Sequence, residues 1–461
     1  MRALAESAPQ EPEGHHLPPR APFEIFEAAR DRTPAPTDDR PHIVILGAGF
    51  AGLACAKQLG DHPVRVTIVD RTNYHLFVPL LYQVATAALS PADIAEPIRK
   101  ILRRFRNIDV VMAEAVGLDL ARRRLALAGG DFIGFDRLVL AAGSDYNYFG
   151  HEAWRARAPG LKTLGSAREI RARILAGFER AETEHDPVLQ QKLTTTIVVG
   201  GGPTGVETAG AVAELARHAL ARDFRNIDPA SAHVLLLEAG PRLLSSFPPT
   251  LGEYARRRLA KLRVTVATET AVSDVCDGYV RTASGTIPAQ TIIWCAGITP
   301  SPSAGWLRVP KDATGRIVVE PDLSVRDAPS VYCIGDLASF SDGSRHPLPA
   351  LAQVAKQQGE HLGRNLAAAL DRHAPMAPFR FRDRGNAAII GRSAAVFDFG
   401  RWQLTGWLAW VLWSLVHIWL LVGFQKRLLV SVEWFWRWLT YEHGARIIPE
   451  TSPRETGSDV D

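Results

Sequence analysis

Two glycine-rich turns have the spacing that binds the phosphates of a dinucleotide. The first, Gly47-Ala48-Gly49-Phe50-Ala51-Gly52, follows an apolar run at 43–46 and precedes a helix-like run at 53–59. A second strand-like run, 64–69, ends on Asp70. In this order Gly47 permits the turn, Gly49 lets the backbone approach a pyrophosphate, and Gly52 lets the helix lie close to the strand. The helix N-terminus attracts the phosphates, and Asp70 is placed to accept hydrogen bonds from ribose hydroxyls.

The same order of elements recurs in the middle of the chain. A β-branched run at 194–199 leads into Gly200-Gly201-Gly202-Pro203-Thr204-Gly205, a helix-like run at 206–218 and a strand at 232–237 that ends on Glu238. The gap from Gly200, Gly202 and Gly205 to this acid exceeds the usual ~20 residues, and the excess falls in the polar segment 221–231. Glycines also cluster in ordinary turns, but two such units together predict a second dinucleotide site.

Three further strand-like runs end in small or acidic residues. A small residue at a strand end lets the backbone come close to a bound cofactor or another strand. One ends at Gly143 and another at Gly297. The third, 331–336, ends in Gly335-Asp336, where the carboxylate could hold the hydroxyls of a sugar-like chain or could simply cap the next helix. That helix is predicted at 351–370, and another at 92–104.

Length and composition limit the possible classes of protein. A chain of 461 residues is too long for one ordinary core, so two or three domains are expected. The net charge of only +4 argues against a nucleic-acid binder held by charge. The four cysteines, Cys55, Cys276, Cys295 and Cys333, form no CxxC pair, so neither a redox disulfide nor a metal cluster is predicted, and they are expected to be buried small residues.

The two ends of the chain differ from the rest. Residues 1–40 are rich in Pro, Glu, Arg and Ala and are predicted to be disordered. Residues 404–424 carry no formal charge and, if helical, are long enough to span a ~30 Å hydrocarbon core. Residues 428–439 are aromatic and amphipathic, and eight of the eleven tryptophans lie between Trp402 and Trp438. This predicts a membrane-association region; a buried helical hairpin in an oligomer interface is the alternative.

Together these segments resemble the type II NADH dehydrogenases, the single-subunit, non-pumping NADH:quinone oxidoreductases. The resemblance covers about 42–446 and rests on ILGAGFAGL, NYHLFVPLLYQVATAALSP, VGGGPTGVETAGAVAEL, YCIGDLA, AQVAKQQG, the apolar run 404–424 and GARII. It implies an α/β fold with two Rossmann-like dinucleotide-binding domains, the NAD-binding unit inserted in the FAD-binding domain, plus a C-terminal helical membrane-attachment segment. The expected divisions are 1–40 disordered tail, 41–160 first segment of the FAD-binding domain, 161–300 NADH-binding domain with its crossing helix, 301–385 second segment of the FAD-binding domain with the quinone-side helix, 386–445 membrane association and 446–461 disordered tail.

The resemblance also implies roles for single residues. One non-covalent FAD would be held by Gly47, Gly49, Gly52, Asp70, Arg71, Val116, Gly143, Asp336 and Gln353, and Asp70 departs from the Glu of many relatives. NADH would lie on Gly200, Gly202, Gly205, Glu238 and Gly297. By the same analogy Glu207 would lie near the nicotinamide and flavin, and the quinone head beside Gln357 and Gln358. The expected partners are a membrane quinone, the lipid bilayer at the cytoplasmic face of the inner (cytoplasmic) membrane, and a second copy in a homodimer.

The residues leave several questions open. Glu207 could be a buried helix residue paired with a basic side chain, and Gln357 and Gln358 could merely pack. Glu238 predicts NADH over NADPH because it repels a 2′-phosphate, but Arg242 is close enough in sequence to soften that preference. Length favours a spanning helix at 404–424, whereas the resemblance and the amphipathic segment favour one-sided attachment. With His417 as its one titratable group, that stretch is not expected to pump protons.

Two other classes of protein share these nucleotide motifs. One is a soluble NAD(P)H flavoprotein reductase for a protein acceptor, which would not need the tryptophan-rich tail; reductases of disulfides or sulfide need cysteine pairs that are absent. The other is an FAD- and NADH-binding redox sensor, which turnover with a quinone would distinguish.

Overall fold

The computed structural model describes residues 39–343, 346–421, 424–440 and 444–448. The predicted disordered tails at 1–40 and 446–461 lie almost wholly outside these residues.

The first glycine turn belongs to a six-stranded sheet. Its strands lie in the order Ser324–Val325, Ala328–Cys333, Arg137–Leu140, His42–Leu46, Arg65–Asp70 and Ile108–Met112. Only the edge strand Ser324–Val325 pairs antiparallel; the others are parallel, and Ile45 pairs with both Ile68 and Val139. The central strands are apolar runs rather than alternating ones because a parallel sheet is buried on both faces.

The second glycine turn belongs to a separate parallel sheet of four strands, in the order Val264–Ala267, Val234–Leu237, Thr196–Val199 and Thr291–Trp294. In sequence this sheet lies between Arg137–Leu140 and Ala328–Cys333 of the first sheet. The predicted insertion of one dinucleotide-binding unit in the other is therefore confirmed.

Smaller sheets complete the two units. Three are three-stranded and antiparallel: Ala115–Asp119 with Arg124–Leu127 and Phe132–Gly134, Val272–Cys276 with Tyr279–Thr282 and Gly285–Pro288, and Asn386–Ile389 with Ala395–Asp398 and Gln403–Thr405. Ile317–Val318 pairs with Ala338–Ser339.

The chain passes between the two units twice, and the two passages pair with each other. Ser144–Tyr146 runs antiparallel to Ile298–Pro300, with Asp145 opposite Thr299. We call this pair the crossing ladder.

The glutamine helix, Ala352–Arg372, packs on the first turn helix, Phe50–Leu59. A Cβ added to Gly359 would lie 2.1 Å from the carbonyl oxygen of Ala51, and one on Gly363 would lie 2.6 Å from that of Cys55. The two backbones therefore touch, and only glycine fits at these positions. Further helices include Leu81–Ala85, Trp154–Arg157, Leu164–Thr183, Pro187–Thr194, the second turn helix Pro203–Glu214, and Pro249–Lys261.

The single helix predicted at 92–104 is wrong. The segment forms a short helix Pro91–Ile94, a strand Ala95–Pro97 that pairs with Tyr74–Leu76, and a second helix Ile98–Leu102. Pro97 lacks an N–H and clashes with the preceding turn in a helix interior, so it separates the two helices.

The C-terminal region contains two helices, which we call the tryptophan helix, Gly406–Leu420, and the terminal helix, Phe424–Thr440. The apolar run 404–424 is therefore not one continuous helix. The tryptophan helix has 15 residues and is about 22 Å long at 1.5 Å per residue. Within the residues that the structure describes, we find no helix long and apolar enough to cross a membrane.

Candidate functional site

The first glycine turn has the geometry that the spacing predicts. Gly47 has φ +100°, and a Cβ there would lie 2.4 Å from the carbonyl oxygen of Ala141. A Cβ on Gly52 would lie 1.8 Å from the carbonyl oxygen of Gly47, whereas one on Gly49 would meet no atom within 4 Å. Gly47 and Gly52 are thus required by the fold, and Gly49 leaves open space against the backbone.

The Asp70 carboxylate holds this turn in place. Its Oδ2 accepts a hydrogen bond from the Ala48 N–H at 2.7 Å, and its Oδ1 accepts from the N–H and the hydroxyl of Thr72, each at 2.8 Å. Sequence reasoning assigned Asp70 to the ribose, which stays a prediction, and missed its contacts within the turn. Arg71 and Val116, the other residues expected near the ADP half, are exposed.

The structure brings Gly143, Ser144 and Asp336 together. Asp336 Oδ2 accepts a hydrogen bond from the Ser144 hydroxyl at 2.7 Å, and that hydroxyl accepts one from the Lys162 ammonium at 3.1 Å. A Cβ on Gly143, which has φ +69°, would meet nothing within 4 Å. Two strand ends from different parts of the sequence therefore form one polar edge of the sheet.

The three glutamines of the glutamine helix have different environments. Gln358 is 1% exposed, and its Oε1 accepts a hydrogen bond from the Gly335 N–H at 2.7 Å. Gln357 exchanges two hydrogen bonds with the backbone of Arg382, at 3.0 and 3.1 Å. Gln353 donates to the Gly385 carbonyl at 3.1 Å and accepts from the Arg384 N–H at 3.2 Å. These contacts tie the helix to the Gly335 turn and to 382–385.

These residues fit FAD. Gly49 and Gly143 leave space at the carboxyl ends of neighbouring strands, which is where α/β sheets bind nucleotides. The buried Nε2 of Gln358, next to the Gly335 turn, has no hydrogen-bond partner in the described residues of the chain. An unpaired buried amide is costly, so a polar group of a bound cofactor would stabilise it.

The second glycine turn repeats the first. Gly200 has φ +108°, a Cβ on Gly205 would lie 1.8 Å from the Gly200 carbonyl oxygen, and one on Gly202 would meet nothing within 4 Å. Glu238 accepts hydrogen bonds from the Gly201 N–H at 2.5 Å and from the Gly240 N–H at 2.6 Å. Glu238 therefore holds its turn as Asp70 does.

Two other residues near the predicted NADH site are now placed. Gly297 has φ +65° and lies against Phe149, whose ring would be 2.7 Å from a Cβ there. The Arg242 guanidinium donates to the backbone carbonyls of Leu244, Ser245 and Phe247. It is already engaged with the backbone, so its sequence proximity to Glu238 does not make it a free phosphate ligand.

Glu207 lies on the second turn helix and accepts a hydrogen bond from the Ile389 N–H at 3.2 Å. Burial raises the pKa of its carboxyl to about 8, and the hydrogen bond only partly opposes this. The alternative of pairing with a basic side chain is not what the structure shows, since this donor is a backbone N–H. At neutral pH the carboxyl holds a proton.

Glu207 lines an open pocket with an empty volume of about 740 Å³. Its walls come from the segment 82–88, the second turn helix, residues 389–392 and both C-terminal helices, and they include Tyr82, Gln83, Trp413 and Trp434. Gln357 and Gln358, expected beside the quinone, are not among the residues that line it. We call this cavity the tryptophan pocket.

A hydrogen-bonded chain stiffens one wall of the tryptophan pocket. The Trp434 indole donates to Gln83 Oε1 at 2.9 Å, and Gln83 Nε2 donates to the Tyr82 hydroxyl at 2.9 Å. Sequence reasoning missed these residues, although Tyr82 and Gln83 stand in the motif NYHLFVPLLYQVATAALSP.

The two C-terminal helices each have an outward apolar face. Trp413 and Ala409 are buried against the protein. Large apolar side chains on the other side are exposed; they are Trp407, Leu408, Leu415, Trp419, Leu428, Leu429, Val432, Phe435, Trp436 and Leu439. Lys426 forms an ion pair with the buried Glu96 at 3.0 Å and so connects the terminal helix to the strand Ala95–Pro97. We call the exposed set the apolar face.

The fold and the paired turns define a class, the flavoproteins with two dinucleotide-binding units. Residues 41–359 match the family pyridine nucleotide-disulphide oxidoreductase. The chain is 37% identical over 429 residues to the type II NADH:quinone oxidoreductase Ndh of Mycobacterium tuberculosis, covering 89% of this chain and 91% of that protein. It is also 37% identical over 421 residues to NdhA of the same organism, covering 87% and 88%.

The chain therefore belongs to the type II NADH:quinone oxidoreductase family, as the sequence motifs predicted. Its fold matches that of NDH2 from Plasmodium falciparum in complex with NADH, with a TM-score of 0.79 and 19% identity over 89% of this chain and all of that one. At that identity the likeness establishes the fold alone.

Proposed function

We propose that this protein oxidises NADH and reduces a membrane quinone through one non-covalently bound FAD. When bound, FAD accepts a hydride from NADH and passes two electrons to the quinone. The observation that carries the proposal is the tryptophan pocket, because it joins the interior carboxyl of Glu207 to the helices that bear the apolar face.

The two glycine turns support separate sites for FAD and NADH. Gly49 and Gly143 leave room at the end of the six-stranded sheet, and Gly202 leaves room at the end of the four-stranded sheet. The crossing ladder joins the two units next to Gly143 and Gly297. Holding two reactants in contact in this way replaces an encounter in solution and can lower the barrier by ~7–11 kcal/mol.

The tryptophan pocket suits a quinone head group. Reduction of a quinone by two electrons also consumes two protons, and Glu207 carries one at neutral pH because burial raises its pKa to about 8. We assign Glu207 the role of donor to a quinone oxygen. This places the head group beside Glu207 and Gln83, while Gln358 supports the Gly335 turn.

Proton pumping is not part of the proposal. Burial lowers the pKa of His417 to about 4, so its imidazole is neutral at physiological pH. It is the one titratable side chain between 404 and 424, and a relay across a membrane needs several.

The apolar face supports attachment to one side of a bilayer. Its side chains lie on the outer side of both helices, and three of them are tryptophans, which favour the headgroup boundary. Both helices also line the tryptophan pocket, and a lipid-soluble quinone would enter it from the bilayer. We propose the cytoplasmic face of the inner membrane as the location; the homodimer implied by the resemblance stays a prediction.

An anaerobic titration tests the proposal. NADH added to the purified, FAD-loaded protein should bleach the visible flavin band, and a short-chain quinone should restore it over repeated cycles. A protein that carries no flavin even when supplied with it, or one that bleaches and is not reoxidised by quinone, contradicts the proposal. The second result would instead indicate a soluble-type reductase or a redox sensor.

A further inference from the structure

The indole of Trp413 is a feature of the tryptophan pocket that the proposed function does not yet use. Trp413 is 1% exposed and forms part of the pocket wall. Its Nε1 is buried and has no hydrogen-bond partner among the residues that the structure describes. A buried N–H without an acceptor is destabilising, so such groups are rare unless a ligand completes them.

Four other indoles in the described part of the chain donate hydrogen bonds. Trp434 donates to Gln83 at 2.9 Å, Trp438 to the Ser393 hydroxyl at 3.3 Å, Trp154 to Asp274 at 3.2 Å and Trp294 to the Asn147 carbonyl at 2.9 Å. Two of these, Trp434 and Trp438, line the same pocket as Trp413. The unpaired donor of Trp413 is therefore not a general property of this aromatic region.

Trp413 is also held rigidly. Its ring stacks on His417 at a centroid distance of 3.9 Å and on Trp434 at 5.4 Å. His417 is fixed in turn, because its Nδ1 hydrogen-bonds to the Trp413 carbonyl at 2.8 Å. The indole N–H is thus preorganised, and a ligand that accepts from it need not order the ring.

We propose that the Trp413 indole N–H donates a hydrogen bond to one carbonyl oxygen of the bound quinone. The protonated Glu207 carboxyl, on another wall of the pocket, serves the other carbonyl. A quinone carries two acceptor oxygens and no donor, which matches two donors among the residues that line the pocket. This inference rests on the proposed function and adds a residue that positions the acceptor.

The test compares Trp413→Phe with wild type, both FAD-loaded and in lipid vesicles. Phenylalanine keeps an aromatic ring but removes the donor. We expect the KM for a short-chain quinone to rise about tenfold, as for the loss of one buried hydrogen bond. The KM for NADH, measured with ferricyanide as a soluble acceptor, should not change.

Trp154→Phe is the control for loss of a buried indole. Its N–H is hydrogen-bonded to Asp274 and it does not line the pocket, so it should lower thermal stability without raising the quinone KM. Trp413→Phe should cost less stability, because its donor is unpaired in the substrate-free protein. The quinone should also raise the melting temperature of wild type more than that of Trp413→Phe.

A second measurement needs no variant. Quinone labelled with ¹³C at each carbonyl in turn is bound to the wild-type holoenzyme, and the infrared C=O bands are compared with those in hydrocarbon. We expect both bands to shift to lower frequency. A carbonyl that keeps its unbound frequency overturns the arrangement of one donor for each carbonyl, and an unchanged quinone KM in a folded Trp413→Phe protein overturns the role of Trp413. If the wild type fails to reduce quinone at all, the proposed function fails and this inference fails with it.

Discussion

Gln358 Oε1 accepts a hydrogen bond from the backbone N–H of Gly335 at 2.7 Å, directly before Asp336. Gly335 has φ +74°, and a Cβ there would lie 3.1 Å from the Cβ of Ala51. The buried amide thus fixes a tight turn between the glutamine helix and the first turn helix. The position of the Asp336 carboxylate depends on this turn.

Replacing Gln358 by leucine should weaken FAD binding. The Gly335 N–H would lose its acceptor, which costs about 1–3 kcal/mol in a buried site, and Asp336 would be less well held. We expect FAD affinity, measured by fluorescence titration of the apoprotein, to fall about tenfold or more. Gln190→Leu is the control. Gln190 also donates a hydrogen bond, to the Glu184 carbonyl at 2.7 Å, and it lies far from Gln358 in the sequence. An unchanged affinity in Gln358→Leu would show that the turn does not depend on the amide.

The raised pKa of Glu207 predicts a pH-dependent rate. As the pH rises through about 8 the carboxyl loses its proton, and quinone reduction should decline, whereas NADH oxidation with ferricyanide should not. In Glu207→Gln the decline near pH 8 should disappear, with a rate about 100-fold lower, since general acid catalysis typically contributes 10²–10⁴-fold. A Glu207→Gln variant with the wild-type rate and pH profile would remove Glu207 from the mechanism.

The same pKa predicts how stability depends on pH. The folded chain keeps the Glu207 proton up to about pH 8, and the unfolded chain releases it near 4.5. Wild type should therefore lose stability relative to Glu207→Gln as the pH rises from about 4.5 to about 8, and the difference should then stay constant. Paired denaturant titrations at pH 5, 7 and 9 measure this; parallel stability curves would contradict the buried, protonated carboxyl.

Charges on the apolar face should release the protein from membranes. Leu408 and Leu415 are 63% and 61% exposed. Burying two such side chains in lipid contributes about 3–6 kcal/mol to the free energy of binding. The double substitution Leu408→Glu with Leu415→Glu should therefore weaken vesicle binding by more than about 100-fold. Val188→Glu is the matched control, because Val188 is 71% exposed on a different helix. Cosedimentation with vesicles measures both. Equal release by both variants would indicate that membrane binding does not involve the C-terminal helices in particular.

Glu238 should set the preference for NADH. Its carboxylate lies at the second glycine turn, where it would repel a 2′-phosphate. In the wild type we expect kcat/KM for NADH to exceed that for NADPH by about 100-fold. In Glu238→Gln this NADH-to-NADPH ratio should fall about tenfold. The KM values for NADH and NADPH should both rise in that variant, because the Gly201 turn loses an acceptor. Arg242→Met should leave the ratio unchanged, since that guanidinium binds backbone carbonyls. A wild-type preference for NADPH would refute the assignment.

The regions of the fold that sequence predicted best are those fixed by backbone geometry. Gly47, Gly52, Gly200 and Gly205 occupy places that only glycine can fill, so their spacing alone locates the turns and the strands beside them. The same spacing puts Asp70 and Glu238 at the ends of those strands. Their role as acceptors for the turns depends on a local contact that spacing does not show.

The one wrong helix, and the contacts that the sequence could not predict, occur where long-range pairing decides the structure. The run 92–104 looks helical, but Ala95–Pro97 pairs with Tyr74–Leu76, some twenty residues earlier. The directions of Gln353, Gln357 and Gln358 depend on which neighbours pack against each face of one helix. Trp413 was unremarkable among eight clustered tryptophans, and only the folded pocket distinguishes it.

The crossing ladder has a mechanical consequence. Both links between the two nucleotide units run through one short antiparallel ribbon, Ser144–Tyr146 with Ile298–Pro300, so each passage is hydrogen-bonded to the other. If FAD and NADH bind at the two glycine turns, the relative placement of their rings depends on this backbone pairing as well as on the contacts that hold each nucleotide.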